Sequence, residues 1–405
     1  MRSATGFVLL AVWMPVSCVA ASPSGTFIDV TTYTVPIADS QPEGIVQGSD
    51  GNIWFTEQVG IGKLTPAGVF SSYKVPTTNS APSGMVLGPD GNVWFTEWRA
   101  GKIGRITTAG VITEFPITDA SAEPVGITVG PDGALWFAEE NSNDIGRITT
   151  SGAITEYPAL ANTRSYWITA GPDGALWFTD NGTNSIGKMT TLGSVSEYAV
   201  PTADCVLNFV VPGSDGALWF TENSGNKIGR ITTAGAITEY PVPTAGSGPG
   251  AMTQGPDDEL WFAEQFAGGI ARITMGGLIT EFPVTSAGDW VTGITPGPQH
   301  ALWFTLYYDD MIGSAPACAL GLSTSFSGNI LTANFDLGIA QPASWVVGAG
   351  DKPLLKRSIP AVTPPQAFAV NFQPFPNVGP VKVTSTLSNS LGQTLCSEWV
   401  GVNTE

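Results

Sequence analysis

The chain has 405 residues, of which 49 are Gly and 31 Pro while only 12% are charged, a composition that points to a turn-rich, all-β protein. At 42% hydrophobic and 10% aromatic it can bury a large core, which excludes disorder as its general state. Against 34 Asp and Glu stand only 16 Lys and Arg, a formal charge of -18, so no nucleic acid and no anionic lipid surface is expected as a partner; cations and neutral ligands suit it better.

Residues Met1 to Ala21 carry Arg2, an apolar run from Phe7 to Val16 and small residues around Cys18 to Ala21, which predicts a secretory signal too short to span a membrane. Cleavage after Ala20 or Ala21 removes Cys18; a lipoprotein route would keep it as the lipidated first residue, but Pro15 stands where such a motif usually has Leu. No other apolar run reaches the roughly 18 residues of a membrane span. The expectation is a secreted or periplasmic monomer without a membrane span.

Next comes a repeat. The tryptophans of a W-F-[TA] motif are Trp54, Trp94, Trp136, Trp177, Trp219, Trp261 and Trp303, at spacings of 40, 42, 41, 42, 42 and 42. Each copy reads as four short strands. In the third copy the first strand ends in Gly126-Ile127-Thr128-Val129, a Gly130-Pro131-Asp132-Gly133 turn follows, and Ala134 to Ala138 form the second. Ile145 to Thr149 and Ala153 to Tyr157 complete the unit. Pro presets φ in the turn and the following Gly takes the positive-φ position. Four strands in about 42 residues is the period of a β-propeller blade, and the Gly, Pro and Thr density of each unit excludes a helical repeat.

The last copy stops after Met311 to Ser314 without its I-T-E-Y-P strand, whereas Phe27 to Pro36 is such a strand with no blade in front of it. The N-terminal strand is therefore expected to complete blade seven and close the ring. Outer-strand aromatics then also number seven: Tyr33, Tyr73, Phe115, Tyr157, Tyr198, Tyr240 and Phe282. The basic residues Lys63, Arg105, Arg147, Lys188, Arg230 and Arg272 recur at one position and are expected to pair with loop acids, and the repeated Trp to pack between blades.

After Pro316 the period is lost. Residues 317 to 405 show about seven short alternating runs, which predicts an immunoglobulin-like β-sandwich, with Cys318 and Cys396 able to link its first and last strands. Cys205, among Val206, Leu207 and Phe209, reads as a buried free thiol.

The string G-P-D-G-x-L-W-F-[TA]-E followed by I-G-R-I-T-x-x-G-x-I-T-E-Y-P, clearest from Gly130 to Pro158 and Gly213 to Pro241, resembles the virginiamycin B lyase family of seven-bladed propellers over residues 27 to 315. The resemblance implies a magnesium-assisted lyase that linearises streptogramin B cyclic depsipeptides by elimination across the ester C–O bond. It implies a metal that polarises the ester and a histidine that takes the α-proton. In the family these come from a Glu-Pro-His-Gly stretch, a Glu closing the next W-F-A-E strand, and a His one blade earlier. Here Glu123-Pro124-Val125-Gly126 and Glu139 match in part: Glu123 and Glu139 stand at the metal positions, Val125 and Ser83 at the histidine positions. The family's site lies late in the chain, where this sequence has Trp290, Thr292 and Leu306. Its single histidine, His300, falls in the turn that replaces Gly-Pro-Asp-Gly in blade seven, expected on the face opposite Glu139.

Specificity is expected where the innermost strands begin. Eleven residues before each Trp stand Glu43, Ser83, Val125, Tyr166, Asn208, Gly250 and Thr292; thirteen before stand Gln41, Ala81, Glu123, Arg164, Val206, Gly248 and Trp290. These rings vary within a regular repeat, which is where a site would be written. Glu43, Tyr166, Arg164, Asn208 and Trp290 are the candidate contacts for a small-molecule or peptide ligand. Glu57, Glu97, Glu139, Asp180, Glu222 and Glu264 close the second strands on the same face. Either they form an acidic mouth that holds a divalent cation with Glu43, Glu123 and Glu139, or they cap loop amides and pair with basic neighbours; Arg164 could neutralise Glu123. Three functions stay open: a binding or interaction module, which the missing histidines favour; a metal-dependent lyase or hydrolase that keeps Glu123 and Glu139 with an altered base; and a structural cell-surface or matrix repeat protein.

Overall fold

The computed structural model describes residues 26–28, 30–58, 60–284 and 289–317, with the backbone of seven strands between 323 and 402. The signal-like segment 1–21 lies outside them. Seven four-stranded antiparallel sheets follow one another along the chain, each ordered first to fourth strand. Blade three is representative: Pro124–Val129, Leu135–Glu139, Asp144–Ile148 and Ile154–Pro158. The first strands of successive blades contact one another, the seventh touching the first, so they line a central channel and the sheets form a closed propeller. Among the described residues, helix is confined to the short turns Trp98–Ala100 and Pro298–His300, and no helix is long and apolar enough to cross a membrane.

Each blade solves the same packing problem with the same groups. The Gly133 position of the first turn has φ 75°, as the turn chemistry requires. In that turn Asp132 accepts the indole N–H of Trp136 at 2.9 Å and pairs with Arg147 at 2.7 Å, and Trp136 packs on Tyr157 with ring centroids 5.1 Å apart. Equivalent Trp–Asp bonds recur from Trp54 to Trp261, the basic residues pair with the same aspartates, and every Trp of the motif stacks on its outer-strand aromatic. The tryptophans are buried and the basic ring is structural, as expected. In blade seven the turn lacks this aspartate, and Trp303 donates instead to the Pro298 carbonyl at 3.4 Å.

The Thr or Ala of the W-F-[TA] motif has a use that the repeat alone did not disclose. Thr96 accepts the Gly84 N–H at 2.9 Å and donates to the Val125 carbonyl at 2.7 Å, joining the innermost strands of blades two and three. Thr179 and Thr305 reach the Asn208 and Glu43 carbonyls of the next blade in the same way. Thr96→Val should leave a buried N–H and carbonyl unpaired and lower stability by about 1–3 kcal/mol, measured by denaturant unfolding. A loss below about 0.5 kcal/mol would show the link to be dispensable.

The ring closes as expected, with Thr31–Thr34 as the fourth strand of blade seven, Tyr33 opposite Ile312. One expectation needs correction: Phe27 to Pro36 is not a single strand. Thr26–Ile28 turns away and pairs with Thr394–Val402 of the C-terminal segment, while Ile28 packs beside Trp261, Phe282, Ala315 and Ala317. The stretch has two partners and divides between them. Beyond 317 the strands form one five-stranded antiparallel sheet, which includes Thr26–Ile28, and one of three. Two sheets are the layers a sandwich requires; their side-chain packing and the predicted Cys318–Cys396 link lie outside the described residues. Cys205 is a buried free cysteine, and burial pushes its thiol up to about 12.

Candidate functional site at the channel mouth

Register along the innermost strands slips by a bulge, between Pro124 and Ile127 in blade three and at the matching places in blades two and four to seven. A bulge re-aims the residue it frees. In those strands the freed pair includes the residue eleven before the Trp, and all seven of that ring, Glu43, Ser83, Val125, Tyr166, Asn208, Gly250 and Thr292, line a channel cavity of about 340 Å3. Trp167 and Phe209 stack beside it with centroids 3.7 Å apart.

Glu43 is half-buried there and lines both the cavity and a second pocket of about 360 Å3 at the mouth, formed by blades one, two and seven. Burial holds its carboxyl above the ordinary range, opposed by a hydrogen bond from the Ser83 hydroxyl at 3.3 Å. Tyr166 is raised in turn, by burial and then by the charges of Glu43 and Glu140. In the mouth pocket Gln41 accepts from Tyr307 at 3.0 Å and from Gln58 at 3.2 Å, and Arg99 lies over Trp98.

The ring thirteen before the Trp plays a different part. Gln41, Ala81, Glu123, Val206 and Gly248 all have positive φ, so this position turns the chain into the bulged strand. Arg164 does not neutralise Glu123: its exposed guanidinium pairs with Glu140 at 2.7 Å, while its backbone N–H is held by Asp180. Trp290 sits in an aromatic group that sequence reasoning missed, packed edge-on to Phe266 at 5.4 Å and Tyr308 at 5.2 Å and tilted on Tyr307 at 6.3 Å. Phe266 and Tyr308 are 46% and 55% exposed, which makes this the apolar side of the mouth. A signal existed: Tyr307-Tyr308 follow W-F-T-L, where the other six blades have an acid in place of Leu306 and none has two aromatics after it. Asp289 accepts the backbone N–H groups of Trp290 and Tyr308 and so fixes the two segments together.

Of the two readings open for the acids that close the second strands, the capping one fits better, and of the six only Glu57 lines the mouth pocket. Glu57, Glu97, Glu139, Asp180, Glu222 and Glu264 are all buried, because the following loop folds over them. Glu57 accepts from Ser72 at 2.6 Å, and Asp180 caps the amides of Arg164 and Gly182. Burial raises Glu139 to about 7; Ser142 bonds one oxygen at 2.5 Å, and Glu156, Asp144 and Asp119 add repulsion. Pro124 pairs with Glu139, which leaves Glu123 half-buried at the adjoining turn. Among the described residues no three His, Cys, Asp or Glu groups are placed to hold a metal ion. One serine-bonded buried carboxyl and one half-buried carboxyl do not fit a magnesium centre. The turn Pro298–His300 joins the first and second strands of blade seven, at the end opposite this mouth, as the sequence implied.

The architecture is thus that of a seven-bladed propeller whose blade-specific side chains converge on one mouth. The virginiamycin B lyase family model matches residues 23–165 and 159–320, and this chain belongs to that family. A streptogramin B lyase structure is 39% identical, covering 71% of this chain and 96% of that one, with TM-score 0.67. The Staphylococcus aureus virginiamycin B lyase, as a catalytically inactive His-to-Ala variant with quinupristin, is 39% identical over 71% of this chain and 99% of that one, TM-score 0.68. The WD40 propeller of Doa1, 9% identical over 73% of this chain and 98% of that one with TM-score 0.60, shares the fold alone. No curated protein matches the chain.

Proposed function

We propose that this chain is an exported propeller that binds a small-molecule or peptide ligand at the channel mouth and acts as a binding module. The observation that carries this is the convergence of the variable ring, from Glu43 and Tyr166 to Asn208, on one cavity beside the exposed aromatics around Trp290. The relative that holds quinupristin supports a cyclic depsipeptide as the first ligand to try. Elimination asks for a base within reach of the α-proton, and the positions where the family carries its histidines hold Val125, buried and apolar, and Ser83, half-buried, neither of them a base. The N-terminal signal pattern supports export.

The test is titration of the mature protein with quinupristin, followed by calorimetry, while mass spectrometry watches the ring with and without magnesium. Saturable binding with the ring intact is expected, at least tenfold weaker in Trp290→Ala, a substitution that removes the aromatic anchor. Magnesium-dependent linearisation, lost in Glu123→Ala, would overturn the binding-module reading and favour a lyase with an altered base.

A further inference from the structure

The channel cavity carries one charge. Among the described residues that line it, Glu43 is the only charged side chain; the rest are neutral polar groups such as Ser83 and Asn208, or apolar ones such as Met85 and Met252. Among the described residues no Lys or Arg forms a salt bridge with Glu43, Arg99 of the mouth pocket included, and the one side-chain hydrogen bond of Glu43 is the long one from Ser83 at 3.3 Å. Because Glu43 also lines the mouth pocket, it stands at the neck between cavity and solvent. A carboxylate taken out of water without a counter-charge is unfavourable, and a ligand that brings a cation into the neck relieves it. One carboxylate is too few for a divalent ion, which takes several oxygen ligands. Aromatic side chains, Tyr166 and the Trp167–Phe209 stack, favour an organic cation instead.

We infer that the channel cavity is a seat for a primary ammonium group on a slim apolar stem, the ammonium paired with Glu43 and the stem lying along Tyr166, Trp167 and Phe209. The inference rests on the mouth as the ligand's entrance and names the class of ligand that goes furthest in: amines, or peptides bearing a free amino group. The net charge of -18 draws such ligands toward the protein.

The probe is 2-phenylethylamine, compared with its neutral analogue 2-phenylethanol. Both are titrated calorimetrically into the full mature chain in about 0.5 M salt, which screens non-specific attraction. Saturable one-to-one binding of the amine is expected, at least tenfold tighter than the alcohol. Glu43→Gln should weaken the amine to the level of the alcohol and leave the alcohol unchanged. Leu192→Ala, at an exposed residue that lines neither the cavity nor the mouth pocket, should leave amine affinity within twofold. If Glu43→Gln does not fold, the contrast between amine and alcohol on the unmodified chain still decides. Equal binding of the two probes, an amine affinity unmoved by Glu43→Gln, or no saturable amine binding below roughly 10 mM would overturn the inference. Quinupristin binding that depends on Trp290, seen without amine binding, would leave the mouth reading standing and sink this one; the reverse result would do the opposite.

Discussion

The melting temperature of the purified chain is expected to peak near pH 5 and to fall by on the order of 10 °C toward pH 8. Burial holds Glu97, Glu139 and Glu222 at about 7, and lifts Glu57 and Glu264 above the ordinary value as well, Glu264 with added repulsion from Glu281. Both oxygens of Glu97 and of Glu222, and one of Glu139 and of Glu264, lack a hydrogen-bond partner in the interior. A carboxyl whose value is raised on folding binds its proton more tightly in the native state than in the unfolded chain. Its stabilisation is therefore complete below the ordinary value of 4.5 and is lost as pH rises through about 7. Each such group contributes at most about 3 kcal/mol across that window. The acid limb comes from Asp132, Asp173 and Asp215, where burial opposes ionisation but the indole N–H and the Arg or Lys outweigh it and lower the value. Their stabilisation is present above the ordinary value of 3.8 and disappears as pH falls below it. Melts from pH 3 to 9 check both limbs, and combining Glu97→Gln with Glu222→Gln should flatten the alkaline one. A melting temperature that is level or rises from pH 5 to 8 would show that these carboxyls ionise without cost.

Deleting residues 26–34 should lower the melting temperature by more than roughly 15 °C and drive self-association. The deletion strips the partner from Met311–Pro316, takes Tyr33 off Trp303, where the rings lie 5.5 Å apart, and removes Ile28 from its cluster with Trp261 and Phe282. An unpaired strand edge then faces solvent. Light scattering and thermal melts read the outcome, and a synthetic peptide spanning 26–36 should restore both. A monomeric deletion variant melting within about 3 °C of the full chain would mean that contacts between blades alone hold the ring.

The blade was legible in the sequence because it is a local solution repeated. Trp136, its turn aspartate Asp132, Arg147 and Tyr157 lie within one copy and meet within one sheet, so period and spacing were enough to assign their roles. Ring closure by Tyr33 was legible too, since one strand was surplus at one end and missing at the other. The candidate site was legible only as a ring of variable positions. That all seven members share one cavity, and that Glu43 is the only charge among the described residues lining it, follows from seven blades brought round an axis.

Other assignments needed the tertiary structure for the same reason. Arg164 chooses Glu140 over Glu123 according to the path of a loop, and the glutamates after W-F-[TA] vanish beneath loops whose fold no repeat pattern encodes. Phe266, Trp290 and Tyr308 come from two different blades and become neighbours only when blades six and seven are side by side. What the sequence determined by itself was the blade and the number of blades, fixed by short-range periodicity, while the family was legible as a resemblance carried by the motif string. What only the tertiary structure decided was which charges are paired, buried or left facing the channel, because those depend on the path of each loop and on contacts between neighbouring blades, as Arg164 with Glu140 and Ser83 with Glu43 show.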